Sequence, residues 1–184
     1  ARHADAIIGT GPGLAEQVRK MNPAGAVHDI CDIPSSLVPA SNEAAARIRK
    51  DWVRNADDIL IAYVGSFAVY QGVDLMFESI PDVVRQCPRA RFVVIGGTPM
   101  EIQARKEWLE SRKLGDAVVF PGKIPPDDLP AHLRAADILL SPRLAGVNTP
   151  LKLLDYLKAE RAVVATDTPA NRLILNEKIA VLTP

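Results

Sequence analysis

The chain has 184 residues, of which 48% are hydrophobic, with 22 basic and 22 acidic side chains. A domain of this size can bury about 70% of its unfolded surface, so its core needs no disulfide or metal. The zero formal net charge excludes a general electrostatic attraction to nucleic acids or anionic membranes. No apolar run approaches the ~18 residues of a membrane-spanning helix, and the start lacks the apolar core of a signal peptide, so we expect a cytoplasmic protein.

Short apolar runs rich in Val and Ile alternate with amphipathic stretches along the chain. The predicted strands are Asp5–Gly9, Val27–Ile30, Ile59–Gly65, Arg91–Gly96, Ala117–Gly122, Asp137–Ser141, Ala162–Thr166 and Ile179–Leu182. The predicted helices are Gly13–Met21, Glu43–Trp52, Val73–Gln86, Pro99–Lys113, Asp127–Ala135 and Pro150–Lys158. This alternation predicts a Rossmann-like α/β fold, with a doubly wound, mostly parallel sheet between helices. The stretch Cys31–Pro39, which is rich in Pro and Ser, is predicted to be a linker.

The cysteines and histidines form no recognisable site. Cys31 and Cys87 fit no metal-binding spacing and are expected to be reduced thiols. His3, His28 and His132 have no partner at the spacing of a metal site or a catalytic triad. We therefore expect no metal and no cofactor.

Ligands of open parallel sheets bind at the carboxyl ends of the strands. The loops that begin there are Gly65–Gly72, Gly96–Pro99, Gly122–Pro126, Ser141–Pro150 and Thr166–Pro169. Glycines in these loops would let the backbone approach a phosphate closely. Ordinary turns explain the same glycines without a ligand, so both interpretations stay open.

The loop after the sixth predicted strand leads into a helix whose first turn begins near Thr149 or Pro150. Free backbone amides and the helix dipole make such a start an anion site. Arg143 and Lys152 would add positive charge, and a diphosphate is the natural ligand. Asp155, further into the helix, could accept hydrogen bonds from a ribose diol. The alternative is an ordinary helix with solvated charged side chains.

A second glycine-rich turn, Gly9–Gly13, follows a predicted strand and opens a helix, with Asp29 about 20 residues further on. This arrangement imitates the fingerprint of dinucleotide-binding proteins. The G-x-G-x-x-G spacing is not met, because position 14 is Leu14. An NAD-dependent oxidoreductase built on this turn and Asp29 remains an alternative.

Several blocks in the last two-thirds or so of the chain follow one another in the order of a known family. They are Tyr63–Ser66, Tyr70–Leu75, Arg91–Gly97, Val118–Gly122, Asp128–Leu129, Ala135–Arg143, Asn148–Tyr156 and Ala162–Thr166. In this series the chain resembles the C-terminal, nucleotide-sugar-binding domain of family 4 (group 1) retaining glycosyltransferases, which have the GT-B fold. The resemblance implies transfer of a sugar from a nucleotide-diphosphate sugar to a carbohydrate or lipid-linked acceptor.

The resemblance also implies a domain organisation. Residues 1–34 would be a crossover segment from a missing N-terminal domain, and residues 35–184 would form the donor-binding domain with an incomplete C-terminal end. Catalysis requires both halves of the cleft, so the fragment alone would be inactive. Any peripheral membrane association would run through the missing domain.

We place the base near Gly97 and Gly122–Ile124, the ribose by Asp155, and the diphosphate over Ser66 and Asn148–Lys152. The predicted site comprises Gly65, Ser66, Gly97, Gly122, Lys123, Ile124, Arg143, Val147, Asn148, Thr149, Pro150, Leu151, Lys152 and Asp155. No catalytic residue and no metal ligand is assigned.

Several positions depart from the family pattern: no Arg lies between Gly65 and Gly72, and Glu160 replaces a glycine. Gln71 replaces a Lys that binds the diphosphate, and the family's pair of glutamates maps onto Val147 and Asp155. We hypothesise that Arg143 and Lys152 supply the missing positive charge. A domain that has lost catalysis and serves as a binding module is therefore a further alternative.

Overall fold

A computed structural model of the chain describes residues 4–33 and 40–184. The strands are β1 (Ala6–Gly9), β2 (Ala26–Asp29), β3 (Ile59–Val64), β4 (Ala90–Ile95), β5 (Val118–Gly122), β6 (Ile138–Ser141), β7 (Ala162–Thr166) and β8 (Val181–Thr183). The α-helices are α1 (Pro12–Met21), α2 (Asn42–Trp52), α3 (Val73–Gln86), α4 (Pro99–Glu110), α5 (Leu129–Ala135) and α6 (Leu151–Lys158). Every predicted strand and helix is present with small shifts at its ends. Most of the predicted linker Cys31–Pro39 lies outside the described residues.

The largest shift is at the end of α4, which stops at Glu110 although the sequence predicts helix to Lys113. The chain turns there through Lys113, whose backbone is left-handed with a φ of 58°. A non-glycine residue rarely adopts this conformation, and the sequence gives no signal for it.

Six parallel strands form the main sheet in the order β5-β4-β3-β6-β7-β8. The chain builds outward from β3 to β5, returns to β6 on the other side of β3, and then builds outward to β8. This confirms the doubly wound sheet and puts its topological switch point between β3 and β6, where ligands of such sheets bind. Strands β1 and β2 form a separate parallel pair with α1 against them.

Alternate residues of the central strands face two different hydrophobic clusters. Leu60 and Leu139 face a cluster that includes residues of α2, α5 and α6. Ile61 and Tyr63 face a cluster formed with α3 and α4. In this second cluster, Phe77 of α3 stacks on Phe120 and meets Trp108 edge to face, with ring centroids 6.1 and 6.2 Å apart.

Polar contacts fix the amino ends of the central strands. Arg49 of α2 donates hydrogen bonds to the carbonyl of Ala135 and to the carboxylate of Asp137 at 3.0 and 2.9 Å. The same carboxylate accepts the backbone N–H of Leu60 at 2.8 Å. These bonds lie at the opposite end of the sheet from the ligand-binding edge. Across the described ranges, no helix is long and apolar enough to cross a lipid bilayer.

Candidate functional site

A cleft opens at the carboxyl ends of the central strands, beside the switch point. It consists of two adjoining pockets with volumes of about 330 and 250 Å³. Both pockets are lined by Val64, Gly65, Ile124 and Leu129. The first extends toward the ends of β4 and β5, and the second toward α6. A cleft of this size at this position is the expected place for a nucleotide.

Seven of the fourteen predicted site residues line this cleft. They are Gly65, Ser66, Gly97, Lys123, Ile124, Lys152 and Asp155. The other seven line neither pocket: Gly122, Arg143, Val147, Asn148, Thr149, Pro150 and Leu151. All but Gly122 belong to the connection that leads from β6 into the first residue of α6. Their part in ligand binding stays a prediction.

The end of β3 lies directly against the side chain of Lys152. A Cβ atom added to Gly65 would lie 2.6 Å from the hydroxyl of Tyr63 and 3.0 Å from the Lys152 amine. The φ of Gly65 is 154°, which also disfavours a side chain. A side chain at this position would therefore crowd both the Tyr63 hydroxyl and the Lys152 amine.

The ammonium group of Lys152 contacts two neutral side chains. Its Nζ donates a hydrogen bond to Oε1 of Gln71 at 2.8 Å and lies 4.5 Å from the ring centroid of Tyr63. Burial, together with the positive charge of Arg143, lowers the pKa of Lys152 to about 7. A partly buried cation among neutral partners is stabilised by an anion that enters the cleft.

The start of α6 adds backbone donors next to this lysine. The helix begins at Leu151 after Pro150, and no side chain within the described part of the chain caps it. The first amides of an α-helix have no intrahelical partner, and the dipole favours an anion there. This local geometry would suit an anion, and the anion site stays a prediction, with the helix beginning one residue after Pro150.

Tyr156 fixes α6 at the switch point. Its hydroxyl donates to the carbonyl of Leu140 and accepts the backbone N–H of Val64, both at 3.1 Å. Because β6 and β3 diverge here, this one side chain satisfies a group from each strand. Burial raises the pKa of Tyr156, so the phenol stays protonated. The sequence pattern gives no signal for this role.

Arg143 is 2% exposed and holds its own loop together. Its Nε donates to the carbonyl of Ala145 at 2.7 Å, and its Nη2 donates to the side chain of Asn148 at 2.6 Å. The guanidinium also lies 5.6 Å from the ring centroid of Tyr70. These contacts give Arg143 a structural role, and a direct contact with diphosphate stays a prediction.

The first pocket also contains two polar side chains that the predicted site list leaves out, Thr98 and Glu101. The backbone N–H and the hydroxyl of Thr98 donate to the Glu101 carboxylate at 2.7 and 2.8 Å. These hydrogen bonds lower the pKa of Glu101, so a carboxylate faces the pocket. The sequence Thr98-Pro99-Met100-Glu101 is a capping box, and this pattern could have identified the pair.

The glycine turn Gly9–Gly13 is filled by protein. A Cβ added to Gly13 would overlap the carbonyl oxygen of Val147, so the chain before α6 lies directly against the start of α1. In a dinucleotide fold this space belongs to the pyrophosphate. The oxidoreductase alternative therefore finds no support. Among the described residues, no group of three His, Cys, Asp or Glu is placed to hold a metal ion.

Comparisons with known proteins agree with this geometry. Residues 58–184 match the family model of glycosyl transferases group 1. The chain is 26% identical over 120 residues to a GDP-mannose-dependent alpha-(1-6)-phosphatidylinositol monomannoside mannosyltransferase of Mycolicibacterium smegmatis. That match covers 64% of this chain and 31% of the relative, so the chain spans about a third of the relative's length.

Two solved structures illustrate the fold. The structure of HepE from Anabaena with UDP-glucose matches with a TM-score of 0.78 at 16% identity, over 99% of this chain and 50% of that chain. The C-terminal domain of the group 1 glycosyltransferase LpcC from Francisella tularensis matches with a TM-score of 0.66 at 18% identity, over 83% of this chain and 80% of that chain. The sheet order, the cleft and the family match agree, and the chain belongs to the glycosyl transferases group 1 family.

Proposed function

We propose that this chain binds the nucleotide-diphosphate part of a sugar donor in the cleft beside the switch point. The protein that contains it then transfers the sugar to an acceptor. One observation carries the proposal: the Lys152 ammonium reaches the cleft next to the first amides of α6 and donates a hydrogen bond to the neutral side chain of Gln71. This arrangement stabilises the charge that develops on a leaving diphosphate without a metal ion.

The contact between Lys152 and Gln71 favours donor binding over a domain that has lost it. The family resemblance puts a lysine at the position of Gln71. Here the Nζ of Lys152 lies 2.8 Å from the Gln71 side chain, so positive charge is present at that place from a different element. We infer that Lys152 compensates for the substitution at Gln71.

The cleft suggests an orientation for the donor. We infer that the base lies in the first pocket near Gly97, Lys123 and Ile124, and that the ribose lies near Asp155. The Glu101 carboxylate in the first pocket could accept a hydrogen bond from a base amine or imine. The relative from Mycolicibacterium uses GDP-mannose and the HepE structure holds UDP-glucose, so both bases are candidates.

The acceptor and the other domain remain proposals. We infer that residues 1–34 connect to an N-terminal domain, and that residues 35–184 form a donor-binding domain whose C-terminal end is incomplete. Side chains of α3, β6 and β7 line an apolar groove of about 410 Å³. A carbohydrate or lipid-linked acceptor, a cytoplasmic location and a peripheral membrane association belong to the same proposal.

Calorimetric titration of the chain with UDP, GDP, ADP, CMP and NAD tests donor binding. We expect selective binding of one nucleoside diphosphate, which is lost in Lys152→Met and retained in Lys106→Met. Lys106 is an exposed lysine of α4, away from the cleft, and serves as the matched control. Binding of NAD alone, or equal binding by the Lys152→Met variant, would contradict the proposal.

A further inference from the structure

Two glycines at the start of α1 pack against a different part of the chain. A Cβ added to Gly13 would overlap the carbonyl oxygen of Val147. A Cβ added to Gly11 would overlap the hydroxyl of Thr149. Alternate residues of the turn therefore face alternate residues of the β6–α6 loop, which comprises residues 142–150. The unit formed by β1, α1 and β2 is thus docked on the loop that precedes α6.

Gly13 is the more informative of the two glycines. Gly11 has a φ of 99°, so any side chain there is strained whatever its surroundings. Gly13 has ordinary backbone geometry at the second position of α1, where alanine is intrinsically a better helix former. The close approach to Val147 accounts for glycine at this position, since helix formation does not.

The group that faces Gly13 cannot move independently. It is a backbone carbonyl, so displacing it displaces the loop itself. The loop then enters α6 at Leu151, and the next residue is Lys152, whose amine lies in the cleft. A displacement at Val147 is therefore transmitted to the start of α6 over a few residues.

We propose that the β1–α1–β2 unit positions the β6–α6 loop, and that Gly13 is a positioning residue for the donor site. The unit holds the loop in the conformation that aims the first amides of α6 and the Lys152 ammonium at one ligand. The consequence for affinity rests on the proposed function, whereas the docking contact itself does not.

The test compares two alanine substitutions within the same unit. Gly13→Ala places a Cβ against the Val147 carbonyl. Gly25→Ala is the matched control, because its Cβ would meet only the flexible side chain of Asn22 at close range. Hydrogen exchange of peptides that cover residues 145–153 reports the loop, and calorimetry with the nucleoside diphosphate that the parent binds reports the site. Circular dichroism verifies folding.

We expect Gly13→Ala to fold, to exchange faster in the loop and to bind the nucleoside diphosphate at least tenfold more weakly, while Gly25→Ala matches the parent. Exchange and affinity equal to the parent's would overturn the proposal, and so would faster exchange with unchanged affinity. If the parent binds no nucleotide, the proposed function fails, and loop exchange still decides the positioning role. If Gly13→Ala does not fold, Val147→Gly is added to it, so that the carbonyl of residue 147 can turn away from the new Cβ. Hydrogen exchange of the loop and nucleotide affinity are then measured on this double variant.

Discussion

Replacing Lys152 with methionine is expected to stabilise the ligand-free chain and to remove its affinity for diphosphates. Burial and the charge of Arg143 lower the pKa of Lys152 from 10.5 to about 7. Between pH 7 and pH 10.5, Lys152 is protonated in the unfolded chain and deprotonated in the folded chain. The free energy of unfolding therefore rises with pH from about 7 to 10.5, and the full penalty of the buried charge is present below pH 7.

The size of this penalty follows from the pKa values. At 1.36 kcal/mol per pH unit, the difference between 10.5 and about 7 sets an upper limit of about 5 kcal/mol. Methionine removes the charge at similar length, but it also removes the hydrogen bond to Gln71 and leaves that amide less well satisfied. We therefore expect a net stabilisation on the order of 2 kcal/mol at pH 6. At pH 9 this stabilisation disappears, because the unfolding free energy of the parent rises by about 3 kcal/mol between pH 7 and pH 9.

Urea unfolding of the parent, Lys152→Met and Lys106→Met at both pH values measures this effect. The control substitution removes an exposed charge and should change the unfolding free energy by less than about 0.5 kcal/mol. A Lys152→Met variant that is less stable than the parent at pH 6 would refute the reasoning. An equal stabilisation at both pH values would show that titration of this lysine is not the cause.

Three further outcomes follow from the same structure. If a diphosphate binds only the protonated lysine, its affinity should fall by up to about tenfold per pH unit above pH 7. Binding should then take up protons, which calorimetry in two buffers measures, and constant affinity from pH 6 to 9 would contradict this. Gly65→Ala should weaken nucleotide binding more than Gly25→Ala, because its Cβ would displace Lys152; equal binding constants would show that the contact has no role. Phe77→Ala should lower the unfolding free energy by about 3–5 kcal/mol, because it removes a ring stacked in the hydrophobic cluster formed with α3 and α4. A loss below about 1 kcal/mol in urea unfolding would mean that this cluster is loosely packed.

Local sequence pattern predicted most of the fold. The apolar runs placed all eight strands, and their alternation with helices gave the doubly wound sheet. The general rule for such sheets then directed attention to the carboxyl edge, where Gly65, Gly97 and Ile124 line the cleft. The Thr98 to Glu101 capping box was equally local and could have been predicted.

The missed features depend on contacts between distant parts of the chain. Lys152 meets Gln71 across 81 positions of sequence, and the start of α1 meets Val147 across more than a hundred. The hydrogen bonds of Arg143 to Ala145 and Asn148, within its own loop, were also not predicted. Residue type and spacing do not determine such contacts, because they depend on the path of the loops.

The most direct test of the account is a crystal structure of the chain with the nucleoside diphosphate that it binds best. We expect the phosphates to lie within hydrogen-bonding distance of the Lys152 amine and the first amides of α6, with the base in the pocket near Gly97 and Ile124. A nucleotide bound elsewhere, for example at the turn Gly9–Gly13, would contradict the assignment of the donor site.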